Sequence, residues 1–285
     1  MKKNEFNRKI IIGSANFGLR YGADPIQVKK KEINKIIKLL KNNKIFKIDT
    51  AHSYIKNKNY FRNINKKFKF ITKMKPDNRW TSLDYCRKNI ESHFEKLNGN
   101  KIETLLFHDV NILFSKNGPK IFQNIKSIKK KYFKKIGISI YDTKCLQYLT
   151  NNYELDVVQC PFNILDKRII YSGWLDKLKK RGIETHVRSI FLQGLLVNKQ
   201  VFKKNYFRKW KKTFTEWFKI LENNQISPVD YCLTDLLNYD FDQIVIGVNN
   251  CDNLKEILNF KTIKNNFFLN IRQNDLKLID PRNWK

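Results

Sequence analysis

Four polar residues stand where apolar runs stop. Asp49 closes the run IFKID, and Tyr54 follows it by five residues in DTAHSY. Lys73 closes FKFITK at 68–73, and His108 closes IETLLFH at 102–108. A lysine at the end of an apolar strand is costly to bury unless paired, and Asp49, one run earlier, is an available partner. A tyrosine beside that lysine is expected to have its pKa of about 10 lowered by the positive charge. It could then give or take a proton near neutral pH. A histidine at the same rim can hydrogen-bond a carbonyl and orient it. Together these groups suit carbonyl reduction. Each alone has an ordinary explanation: Asp49 as a turn cap, Tyr54 as a loop aromatic, Lys73 as one of 46 lysines, His108 as a core histidine. Their recurrence at successive run ends is far harder to obtain by accident.

Such residues need strands to place them. Short β-branched runs occur at 9–13, 45–49, 68–73, 102–108, 134–140, 155–160, 183–189 and 243–247. Several are almost continuously apolar, as parallel strands covered on both faces should be. Helical patterns lie between them. Ile33, Ile36, Ile37 and Leu40 recur at helical spacing in 32–43, and Leu83, Cys86, Ile90, Phe94 and Leu97 form one stripe in 81–97. Ile121, Phe122, Ile125 and Ile128 form another across 118–132. Thr81 with Asp84 offers a capping box, and Asp252 an N-cap before Leu254. Eight strands, each followed by a helix apart from a long excursion at 192–241, predict a single-domain (β/α)₈ TIM barrel over residues 1–285. A doubly wound open sheet is disfavoured, because no G-x-G-x-x-G follows any strand. In such a barrel chemistry sits at the C-terminal strand ends. Beyond the first four residues, those ends carry Ser139, Gln159, Arg188 with Ser189, and Gly247 followed by Asn249 and Asn250.

Composition narrows the class. At 285 residues, with 41% hydrophobic and 13% aromatic residues, the chain can bury a sizeable core. No apolar run approaches the length of a membrane span. The start, MKKNEFNRK then IIIGSANFGL, reads as a buried strand entering a loop, since Gly13, Ser14 and Asn16 interrupt the apolar stretch. Five scattered cysteines without a C-x-x-C pair predict neither a disulfide framework nor a metal site, and fit a reducing, cytoplasmic location. The net charge of +31 invites a nucleic-acid partner. Arginine supplies only 11 of the 57 bases, however, while Lys, Asn and Ile, which share A/T-rich codons, are all abundant. Solvated lysine faces are the simpler reading. Of two basic runs, 126–135 and 203–212, the second interleaves Tyr206, Phe207 and Trp210 with its bases. That run suggests either a nucleotide clamp or an amphipathic helix with lysine stems along its edge.

The spacing in DTAHSY, with the lysine and histidine that end the third and fourth runs, resembles the aldo-keto reductase family over most of the chain. GSANFGLRYG (13–22), VVQCPFNILDKR (157–168) and RSIFLQGLL (188–196) resemble a bacterial subgroup found among surface-polysaccharide biosynthesis genes. VIGVNNCDNLKEIL (245–258) and LIDPRNW (278–284) resemble the family's cofactor-phosphate segment and tail. The resemblance implies a (β/α)₈ barrel that uses NADP(H) in preference to NAD(H) and acts on a small-molecule carbonyl compound. Asp49, Tyr54, Lys73 and His108 would be the catalytic set. Ser139 and Gln159 would hold the nicotinamide carboxamide. Arg188 stands where a tyrosine usually packs on the nicotinamide. Ser189, Phe191, Gln193 and Gly194 would cover the pyrophosphate, and Gly247, Val248 and Asn249 would lead to the adenosine phosphate. Asn253 replaces an arginine that commonly pairs with the 2′-phosphate, with Lys255 or a lysine of 203–212 available instead. Ile55 and Ile140 also depart from the pattern, which has Gly after the tyrosine and Asn after the serine. An anionic or sugar-like carbonyl compound is the suggested substrate. Two other functions stay open: a Schiff-base lyase with Lys73 as nucleophile, and nucleic-acid binding on a reductase scaffold.

Overall fold

A computed structural model describes residues 3–55, 61, 64–263, 271 and 273–284. Eight parallel strands close into a barrel in chain order: β1 Ile10–Gly13, β2 Lys47–Asp49, β3 Lys69–Met74, β4 Ile102–Phe107, β5 Phe133–Ser139, β6 Val157–Pro161, β7 Glu184–Arg188 and β8 Gln243–Gly247. β1 pairs β8 with Gly13 opposite Gly247, so the barrel leaves no free edge. Each apolar run becomes a strand because side chains of both parities are buried. Ile11, Ile71, Leu106, Val157 and Val245 fill the interior, while Ile10, Ile12, Ile48, Phe70 and Leu105 pack outward under the helices. β5 comes close to β6 at Gly137, where a Cβ would stand 2.1 Å from the Val157 carbonyl oxygen.

The covering helices follow the predicted stripes. After the short helix α1 Lys3–Lys9 come α2 Lys30–Asn42, α3 Leu83–Lys96 and α4 Gly118–Ser127. They are followed by α5 Leu146–Asn152, α6 Trp174–Lys180, α7 Lys211–Asn223, α8 Pro228–Leu237 and α9 Cys251–Leu258. Ile33, Ile36, Ile37 and Leu40 form the buried face of α2. In the β2–β3 connection the described residues include a 3₁₀ turn, His52–Tyr54. The long β7–β8 excursion carries α7 and α8.

Several local expectations need correction. The stripe at 118–132 is two helices, 118–127 and 129–132, parted at Ile128. Lys129 there ion-pairs with Asp156 at 2.6 Å, and the same carboxylate accepts the Ile136 amide at 2.7 Å in the middle of β5. Ser82, not Thr81, caps α3 by accepting the Tyr85 amide, because the Thr81 hydroxyl closes the preceding turn on the Asn78 carbonyl. Asn250, not Asp252, caps α9 by accepting the Asn253 amide at 2.8 Å. Asp252 lies in the first turn and pairs with Lys255.

Part of the charge of the basic runs is balanced by neighbours. Lys126, Lys129, Lys131 and Lys135 pair with Glu154, Asp156, Glu91 and Glu184. In 203–212, Phe207 and Trp210 are buried and Tyr206 donates to the carbonyls of Lys277 and Asn283. Its aromatics dock the C-terminal tail rather than clamping a ligand. The five cysteines are free, and no described helix is long and apolar enough to cross a membrane. Among the described residues no cluster of potential metal ligands occurs.

Candidate active site

A cavity of about 420 Å³ opens at the C-terminal mouth of the barrel. That volume falls within the range of about 300–1,000 Å³ usual for small-ligand sites. Asp49, Tyr54, Lys73 and His108 all line it. β2 and β3 end side by side, which puts Asp49 and Lys73 on neighbouring strands. Both are buried, and the Lys73 ammonium donates to Asp49 Oδ1 and, at 3.4 Å, to the Thr50 carbonyl. The second carboxylate oxygen accepts from Gln159 Nε2 at 2.8 Å. The 3₁₀ turn after β2 swings Tyr54 over this pair, with Lys73 Nζ 5.9 Å from the ring centre. His108, just past β4, meets Tyr54 edge to face at 5.9 Å between centroids.

The electrostatics differ from the sequence expectation in one respect. The Tyr54 phenol is raised above its ordinary pKa rather than lowered. Burial is the first cause, and Tyr21, Asp49 and Tyr141 add to it, while Arg188 opposes them. Lys73, its charge balanced by Asp49, does not outweigh burial. Burial also lowers Lys73 itself, against the pull of Asp49. His108 is pushed down to about 4, by burial first and then by the Lys73 ammonium, so it is neutral near pH 7. The site therefore holds a protonated phenol and a neutral imidazole above a buried ion pair.

Most of the residues expected to hold a cofactor share the same cavity. Ser139, Arg188, Ser189, Phe191, Gln193, Gly194, Gly247, Asn249 and Asn253 line it. Gln159 and Val248 do not. Gln159 is fully buried behind the wall, tied to Asp49 and accepting from the Ser139 hydroxyl at 3.4 Å. Val248 is buried and offers its carbonyl to Asn16 Nδ2 at 2.8 Å. The loop after β7 carries positive φ at Ser189, Leu192, Gln193 and Gly194. A run of left-handed residues in so short a loop persists only where its surroundings hold it. Here the Gln193 carbonyl accepts the Ala23 amide at 3.2 Å and its side chain donates to the Tyr21 hydroxyl at 3.2 Å.

Sequence reasoning missed part of the rim. Tyr21, Tyr141 and Glu256 also line the cavity. Tyr141 lies two residues beyond Ser139, the one signal available, but its role depends on partners from distant segments. The Arg188 guanidinium lies 4.0 Å from its ring centre and that of Arg282, from the tail, 3.8 Å.

Comparison with known proteins agrees with this geometry. No curated protein sequence matches the chain. Among solved structures, the glycerol dehydrogenase of Gluconobacter oxydans superposes with a TM-score of 0.65 at 16% identity, covering 90% of this chain and 88% of that one. An aldo-keto reductase of Bacillus halodurans, in its holo form, superposes with a TM-score of 0.68 at 14% identity, covering 90% and 88%. At such identities these likenesses speak for the fold alone. The family model described as "Aldo/keto reductase family" matches residues 9–272, nearly the whole barrel, and the chain belongs to that family.

Proposed function

We propose that the protein is a nicotinamide-dependent carbonyl reductase, with Tyr54 as the general acid toward an aldehyde or ketone. The observation that carries this reading is the convergence of a protonated phenol, a neutral imidazole and a buried Lys–Asp pair on one cavity wall. A bound reduced nicotinamide supplies the hydride. Tyr54 delivers the proton to the developing alkoxide, and its raised pKa keeps that proton in place until the oxygen becomes basic. His108 holds the carbonyl oxygen against Tyr54. Lys73, anchored by Asp49 and the Thr50 carbonyl, sits beside the ring and favours the phenolate left behind. With its ammonium tied to these two oxygens, Lys73 is poorly placed to act as a Schiff-base nucleophile.

The cavity suits an elongated ligand. It runs from Tyr54 past Ser139 and the 189–194 loop to Asn249, Asn253 and Ile257. A Cβ added at Gly194 or Gly247 would meet nothing within 4 Å, so both present open backbone to a ligand. These residues would hold a dinucleotide. The sequence favours NADP(H), but the described lining at the Asn253 end includes Glu256 and no lysine or arginine. Lys255 is paired with Asp252 at 2.8 Å and Lys204 with Asp24 at 2.7 Å. A 2′-phosphate would gain no charged fork there, which favours NAD(H). A cytoplasmic protein acting on a sugar-related carbonyl compound, of the kind handled in surface-polysaccharide biosynthesis, fits the segments at 13–22, 157–168 and 188–196.

The test is Tyr54→Phe. Loss of a positioned acid lowers turnover by ~10²–10⁴, while dinucleotide affinity, read by fluorescence titration, is unchanged. Reduction at the parental rate would refute the reading.

A further inference from the structure

Three charges face the reaction end of the cavity: Asp49, Lys73 and Arg188. The first two cancel in a contact pair. Arg188 has no carboxylate within ion-pair distance among the described residues. Its Nη2 donates to the Ile140 carbonyl at 2.9 Å, and Nη1 lies 3.4 Å from the Ser189 hydroxyl. The guanidinium plane rests on Tyr141 at 4.0 Å. That ring is steadied in turn by Arg282, whose own charge is balanced by a two-pronged pair with the buried Asp280. Arg188 is therefore oriented by neutral groups and left with a whole positive charge in a half-enclosed site. A carbonyl oxygen satisfies one N–H but not the charge, and an unpaired charge removed from water is costly. The remaining N–H groups form the planar fork that accepts a carboxylate through two parallel bonds.

We propose that Arg188 is the receptor for a carboxylate carried by the carbonyl substrate, making this an enzyme for oxo acids or carboxylated aldehydes rather than neutral ones. The proposal rests on the carbonyl-reductase reading. Arg188 belongs to the reacting end and not to the far end: its charge opposes the rise of the Tyr54 phenol and adds to the depression of His108 and Lys73. An arginine serving the oxidised nicotinamide would set two positive charges side by side. An acid on the substrate removes that conflict.

The experiment uses 4-carboxybenzaldehyde and the neutral 4-nitrobenzaldehyde with the parent, Arg188→Met and Arg188→Lys. The first readout is the ratio of kcat/KM for the two aldehydes, which is insensitive to changes that affect both. The parent should prefer the carboxylated compound. Arg188→Met should collapse that preference by ~10–100-fold, the loss usual for a charge-assisted hydrogen bond. Arg188→Lys should restore part of it, since charge returns without the fork. The second readout is calorimetric binding of 4-carboxybenzaldehyde without dinucleotide, at least about tenfold weaker in Arg188→Met. An unchanged ratio and equal binding overturn the proposal. So does an unchanged ratio with weakened dinucleotide binding, which would give Arg188 to the cofactor. If the parent binds the carboxylated aldehyde through Arg188 but reduces neither compound, the reductase reading falls and the anion receptor stands.

Discussion

Asp49→Asn tests how much of the protein's stability rests on the buried Lys73–Asp49 pair. Both side chains are almost wholly enclosed, 4% and 6% exposed for Lys73 and Asp49. Removing one charge leaves the other unpaired in a dry site, which costs about 3–5 kcal/mol. An asparagine also turns an N–H group toward donors, since Lys73 and Gln159 Nε2 both donate to the present carboxylate. Replacing both partners with apolar groups (Asp49→Leu with Lys73→Met) removes charge and donor together and should recover most of the loss. With the Asp49→Leu and Lys73→Met single variants the cycle closes and should show a coupling of at least ~2 kcal/mol. Urea unfolding followed by fluorescence and circular dichroism measures it. The pH signature has a definite sign. Asp49 is what raises Lys73 against burial, so in Asp49→Asn the folded pKa of Lys73 falls further below its unfolded value of about 10.4. Between those two values the unfolded chain holds the extra proton, and stability rises with pH. Asp49→Asn should thus regain stability from pH 7 toward pH 10 more steeply than the parent. A variant within 1 kcal/mol of the parent at pH 7, or a double variant no better than the single, would refute the reasoning (both margins follow from the cost of an unpaired buried charge, about 3–5 kcal/mol).

Two further outcomes concern a buried histidine of α3 and the dinucleotide. His93 is fully buried, bonded to Thr72 at 2.6 Å and to His52 at 3.4 Å. Burial and then His52 push it down to about 3. Its stabilising contribution is complete above the unfolded value of about 6.5 and is lost as pH falls toward 3, at up to about 1.4 kcal/mol per pH unit. Urea midpoints at pH 7 and 4.5 should therefore drop less in His93→Gln than in the parent. In paired fluorescence titrations, NADH should bind at least as tightly as NADPH; NADPH tighter by tenfold or more, a difference of about 1.4 kcal/mol, would show that a cation reaches the 2′-phosphate after all.

The fold was legible because a closed parallel barrel buries its strands on both faces, so IIIG at 10–13 and QIVIG at 243–247 stand out as apolar runs and their helices as stripes. Errors gathered where neighbouring residues compete for one job. Thr81 and Ser82 both suit the start of α3, and only the turn at Asn78 decides between them. Asn250 and Asp252 pose the same choice at α9. The four candidate catalytic residues were legible for a related reason: a strand end fixes both a residue's place in the chain and its place around the mouth. The direction of the Tyr54 pKa was not, because burial is a property of what closes over the ring. Tyr21 comes from the loop after β1, Tyr141 from the loop after β5 and Arg188 from the end of β7, and no spacing along the chain brings these together. The same holds for Arg188, which reads in sequence as a substitution at a cofactor position. Only the assembled mouth shows Lys73 balanced by Asp49 and Arg282 by Asp280, while among the described residues Arg188 has neutral partners alone. Charge balance at a site is a sum over neighbours in space, which is why strand ends mark the candidate residues along the chain while the unbalanced charge among them emerges only once the mouth is assembled.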